Sequence, residues 1–194
     1  MVHIDIWGPY QTPSSSGVHF FLTLVDDCTR TVWTYLLKHK NEACHVFQNF
    51  YSLIQTQFGF QIKQVRSDNA LELTEGDMKL FFRNKGIVNQ TSYAGTPQQN
   101  GVVKRKHRGI LNMARALRFQ SNLPIKFWGE CVLIATYILN RLPHQHLEVK
   151  PLLKRFLASH QHIIILEYLV VCVMLLILYN FWTSSNPGQG HVCL

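Results

Sequence analysis

The sequence is poor in acid. Aspartate and glutamate together number 11 against 19 lysines and arginines, leaving a net charge of +8 with histidine neutral. A pI near 9.4 points to an anionic partner, nucleic acid or an anionic membrane, although a plain solvated basic surface meets the same count. Paired cysteine is missing too. Cys28, Cys44, Cys131, Cys172 and Cys193 are scattered, odd in number and never stand as C-x-x-C. That spacing argues against a disulfide framework or zinc knuckle and for reduced thiols in an intracellular protein. The first residues, M-V-H-I-D, offer neither a basic nor an apolar leader, so no signal peptide is expected. No segment repeats. Hydrophobic residues make up 47% and charged residues 15%, enough apolar material for a core over most of the 194 residues.

What is present reads as alternating strands and helices. Residues 2–8, 18–25 and 31–37 have strand composition, separated by a Pro/Ser/Gly turn at 12–17 and a polar loop at 26–30. They predict an antiparallel meander. Between 41 and 58 the apolar period changes to that of a helix, closed by Gly59. A strand over 61–66, a helix over 71–84 and a strand over 86–93 follow. Thr96 and Pro97 have the chemistry of an N-cap and first helical residue for a long helix to about Phe119. Pro124 opens another, ended by Pro143. This order predicts an α/β fold: a mixed sheet flanked by helices.

Two carboxylates stand out. Asp5 sits inside an apolar strand, where an unpaired charge is costly and calls for a metal, a cation or hydrogen bonds. Asp68 follows the strand at 61–66, at the kind of strand end where open α/β sheets place ligands. Two such oxygen donors on adjacent strands suit Mg²⁺ or Mn²⁺, although two Asp at strand ends are more often caps and turns. The helix from Pro97 adds Lys104, Arg105, Lys106, His107 and Arg108, with Arg115 further on. Helical spacing sets Lys104, His107, Arg108 and Arg115 toward one side, a face suited to phosphates or simply to water. His3 shares its strand face with Asp5, either supporting it or as a hydrogen-bonded core histidine. Asp26 and Asp27 fit hairpin capping; Trp33, Phe127 and Trp128 fit the core.

Five segments carry a resemblance: H-I-D-I-W-G-P at 3–9, F-L-T-L-V-D-D-C-T-R at 21–30, V-R-S-D-N-A at 65–70, T-P-Q-Q-N-G-V-V-K-R-K-H-R at 96–108, and F-W-G-E with A-T-Y-I-L-N-R-L-P within 127–143. In this order over residues 1–145 the chain resembles the integrase catalytic core of copia-type retrotransposons, part of a Pol polyprotein in the retroviral integrase superfamily. The resemblance implies a ribonuclease H-like fold, retroelement DNA ends and target DNA as partners, a homo-oligomer, and nuclear localisation where functional. It places the family's first catalytic and metal-binding Asp at Asp5 and its second at Asp68. Its third, a Glu with 35 residues between it and the second Asp, falls on Lys104. Ala70 is a second departure, where the family has Gly.

Three carboxylates in this family hold two metal ions that activate a nucleophile and stabilise a leaving oxygen. An ammonium at the third position is a non-ligand and brings positive charge to where cations bind. Weakened metal binding and a lost strand-transfer activity are therefore expected. An ion pair from Lys104 to Asp5 and Asp68, standing in for metal, is an alternative. Glu72 is either a rescue ligand or a first-turn acid of its helix.

Residues 146–194 differ in kind. The stretch 163–182 is nearly continuous in apolar residues and hydropathy marks it as a transmembrane helix. The family instead continues with a phrase like H-L-R-V-F-G-C-L-C-Y-A. Codons chosen for that phrase, read one base later, give I-L-E-Y-L-V-V-C-V-M-L, which stands at 165–175. The tail is thus read as a shifted frame of a degenerate copy. Two other function classes compete with an inactive integrase core: a domesticated nucleic-acid-binding protein, and a membrane-tethered interaction protein.

Overall fold

The computed structural model describes residues 1–91 and 100–142. Strands β1 (Val2–Trp7), β2 (Phe20–Asp26) and β3 (Val32–Leu37) form the expected antiparallel meander. There follow α1 (Ala43–Phe58), β4 (Gln64–Ser67), α2 (Leu71–Thr74), α3 (Gly76–Lys85), β5 (Val88–Thr91), α4 (Gly101–Gln120) and α5 (Trp128–Arg141). The sheet order is β3-β2-β1-β4-β5, with β4 parallel to β1 and β5 parallel to β4. This is the mixed sheet between helices that the sequence predicts.

Alternation along β1 and β2 divides the interior. Ile4, Leu22 and Leu24 pack against Phe47 and Phe50 of α1 and Met78 and Phe82 of α3. On the other face Phe21, Val25 and Val32 pack against Val103, Ile110 and Ala114 of α4 and Val132 and Ala135 of α5. The second face is not wholly apolar. Asp5 is level with Thr23, and Thr23 with Thr34. Thr34 Oγ1 lies 2.9 Å from Thr136 Oγ1 of α5, so a row of polar side chains crosses this core.

Several expected boundaries move. The helix predicted over 71–84 breaks in two, because Glu75 is extended (φ −126°) and Gly76 takes a left-handed φ of +60°. The strands at β4 and β5 are four residues each, shorter than predicted. The segment after Pro124 begins as a 3₁₀ turn, Ile125–Phe127, before α5. Thr96 and Pro97 lie outside the described residues; the described part of α4 has Asn100 at its N-cap. Asn100 is fully buried, and its Nδ2 donates to the Ile4 carbonyl at 3.4 Å, tying the helix start to β1. From the last turn of α5, Asn140 clasps the edge strand β3. Its Oδ1 accepts the Val32 N–H at 2.9 Å and its Nδ2 donates to the Val32 carbonyl at 2.7 Å. Among the described residues no helix is long and apolar enough to cross a membrane. The expected span at 163–182 lies outside them.

Candidate metal and nucleic-acid site

Asp5 is fixed by β1 in the middle of the sheet. The β1–β4 register pairs Val2 with Val65 and His3 with Arg66. Continued along both chains, it brings Asp68, one residue past β4, level with Asp5. Asp68 Oδ1 accepts the Ala70 N–H at 3.2 Å, which shapes the turn into α2. Ala70 itself has φ −62°, a backbone that any residue adopts, so the departure from Gly is accommodated without strain. Asp5 is 7% exposed and its Oδ1 accepts the Ile6 N–H at 3.0 Å. Burial first, and the neighbouring Asp68 charge second, push its pKa up to about 7.

Helix α4 closes over this pair. His107 is 6% exposed, and its Nδ1 lies 3.5 Å from Asp5 Oδ2 while the ring edge meets Phe21. Burial, and then the charge of Lys104, hold the imidazole down to a pKa of about 4, so it is neutral near pH 7. Lys104 is exposed, and its charge also works against the rise of Asp5. It therefore sits by both groups. Yet no ion pair within 4.0 Å joins Lys104 to Asp5 or Asp68. The expected Lys104 substitute for a metal does not close as a direct pair. His107, which the sequence groups with the phosphate-facing cations, closes on Asp5 instead and is buried there.

An open pocket of about 600 Å³ lies over this group. Asp5, Trp7, Gly8 and Pro9 from β1 and its end line it, together with Lys104, Arg108 and Arg115 from α4. Gly8 is required at the end of β1: its φ is +127°, and a Cβ there would stand 2.7 Å from the His19 carbonyl oxygen. The basic run of α4 thus divides. Lys104, Arg108 and Arg115 are exposed along the pocket, and Arg105 is exposed outside its lining. Lys106 is half-buried, and burial and then the Arg30 charge lower its pKa.

The remaining candidates lie elsewhere. His3 is a hydrogen-bonded core histidine: it is 1% exposed, with Nε2 2.9 Å from Asp27 Oδ1. That bond, more than the adjacent Arg30, holds the Asp27 carboxyl below its usual range. Asp26 caps the hairpin, accepting the N–H and hydroxyl of Thr29, each at 2.8 Å. Glu72 is a first-turn acid of α2, 3.5 Å from Lys40 Nζ rather than at Asp5. Trp128 is core, with its indole N–H donating to the Thr12 carbonyl; Trp33 and Phe127 are half-buried. Sequence reading missed Thr23 and Asn100. Both are fully buried beside β1, and neither Thr23 Oγ1 nor Asn100 Oδ1 has a partner among the described residues. Only cross-strand register reveals the first; the N-G step before α4 was the signal for the second.

Asp5 and Asp68 are the two carboxylates that the sequence resemblance assigns to a divalent cation. Among the described residues no three His, Cys, Asp or Glu side chains form a metal-holding group. With an ammonium at position 104, the residues present do not fit a two-ion site held by three carboxylates.

No family model matches the chain. Three similar proteins are retrovirus-related Pol polyproteins. That of transposon TNT 1-94 from Nicotiana tabacum is 38% identical over 143 residues, 74% of this chain and 11% of the polyprotein. Those of transposons RE2 and RE1 from Arabidopsis thaliana are 31% and 30% identical, each over 77% of this chain and 10% of the polyprotein. The chain therefore spans about a tenth of the length of these relatives. Among solved structures, the catalytic core domain of BIV integrase superposes with a TM-score of 0.55 at 19% identity, covering 83% of this chain and 96% of that one. The chain is a homologue of one segment of the retrovirus-related Pol polyproteins of plant transposons, and it is folded as an integrase catalytic core is folded.

Proposed function

We propose that this chain is an integrase catalytic core that binds nucleic acid through α4 and no longer performs metal-dependent strand transfer. The observation that carries the reading is that Lys104 lines the same pocket as Asp5 and His107. A Mg²⁺ or Mn²⁺ ion arriving at Asp5 and Asp68 meets an ammonium where a third carboxylate would attract it. Lys104, Arg108 and Arg115, together with Arg105, supply the charge for phosphate contacts. DNA is the partner that the Pol relatives imply, and self-association and a nuclear site of action belong to the same reading. The family unit is residues 1–145; residues 146–194 are a tail outside it.

The test is a strand-transfer assay with Mn²⁺, comparing the full chain with its Lys104→Glu variant. No product is expected from the unmodified chain. Product from it would overturn the reading. A Mn²⁺-dependent rise in melting temperature seen with Lys104→Glu alone gives a second readout that does not need activity.

A further inference from the structure

We propose that the α4 pocket has changed from a cation site into an anion site, in which Lys104 itself takes a phosphate group without a metal. The inference rests on the nucleic-acid reading above and deepens it. Three observations carry it. First, Lys104, Arg108 and Arg115 all line one open pocket of about 600 Å³, and none of them appears in an ion pair among the described residues. Second, with Asp5 and Asp68 both ionised, three cations against two carboxylates still leave a net positive charge. A Glu at position 104 would give two cations against three carboxylates, so the single residue reverses the sign. Third, the pocket is not a cationic surface alone: Trp7, Gly8 and Pro9 at the end of β1 line it together with these α4 side chains.

The chemistry that fits is phosphate on a chain: a nucleic-acid backbone, or a free oligophosphate. Guanidinium groups take phosphate oxygens in a forked geometry, and the lysine adds a point charge. Binding of this kind needs no divalent ion and weakens with salt in proportion to the phosphates contacted.

The experiment is fluorescence anisotropy of the full chain with a short DNA duplex, in EDTA and in Mg²⁺, over a salt series. Equal affinity is expected in the two buffers. Lys104→Gln and Arg115→Gln should each weaken binding several-fold and lower the log–log salt slope by about one. Lys63→Gln, exposed and outside the pocket, should change neither. Inorganic pyrophosphate should compete. Lys104→Glu should make binding depend on Mg²⁺. Unchanged affinity and slope for Lys104→Gln would overturn the pocket while leaving DNA binding by other cations of α4 intact, and loss of binding in EDTA would overturn it by showing that a divalent ion is needed. Absence of DNA binding sinks the nucleic-acid reading instead. Calorimetry with pyrophosphate then decides the pocket: binding abolished by Lys104→Gln supports a free oligophosphate ligand, and no binding overturns the proposal.

Discussion

Burial moves Asp5 and His107 in opposite directions. The Asp5 carboxyl, raised from 3.8 to about 7, stabilises the fold fully below its unfolded value and loses that contribution as pH climbs through 7. The His107 imidazole is depressed from 6.5 to about 4, so its contribution is complete above 6.5 and is lost as pH falls through 4. Between about 4 and 6.5 the two slopes cancel. Asp5→Asn should therefore make stability rise with pH across this window relative to the unmodified chain. His107→Gln should make it fall, each by up to ~1.4 kcal/mol per pH unit. Urea denaturation at a series of pH values checks this; three parallel profiles would remove the opposition. At this scale the sequence was legible through the family resemblance. The 35 intervening residues that the resemblance implies put its third acidic position at Lys104, and in the structure the Lys104 charge acts on Asp5. His107 was misread because K-R-K-H-R looks like one basic run. Only the packing of α4 on Phe21 shows that its fourth member faces inward.

The helices and strands were legible in kind and order, less so at their ends. Hydrophobic period identified α1, and the Thr96-Pro97 start signal identified α4; both have whole faces to bury. It did not find the break before Gly76, where the polar E-G-D-M step leaves period intact while the backbone turns. Nor did it reveal how the edge of the sheet is protected. β3 is an edge strand, and unpaired edge groups invite other chains. Asn140 satisfies both backbone groups of Val32. Asn140→Ala should cost about 1–3 kcal/mol by stranding that donor and acceptor, and should speed hydrogen exchange at the Val32 amide. Unchanged protection of that amide in exchange-detected NMR would show that the clasp does not hold the strand.

For the molecule as a whole, the family segments at 3–143 and the mixed sheet agree, because motif order and strand order report the same topology. The sequence expectation for residues 146–194, which lie outside the described residues, has its own test. If residues 165–175 are the family's phrase displaced by one base, the encoding DNA should resume an integrase-like sequence in the neighbouring frame. Sequencing the locus decides it, and a neighbouring frame without that phrase removes the idea. Helix α4 explains how such a chain keeps its shape. Its inward residues, Val103, Ile110 and Ala114, belong to the core, while position 104 faces solvent, where Glu and Lys have similar helix preference. Chemistry and architecture are thus exposed to mutation separately along a single helix. An idle copy of the gene can drift across its solvent face for many generations while selection against misfolding still guards the other. Extinct activity would then leave behind a folded relic able to compete with living copies for the same nucleic acid.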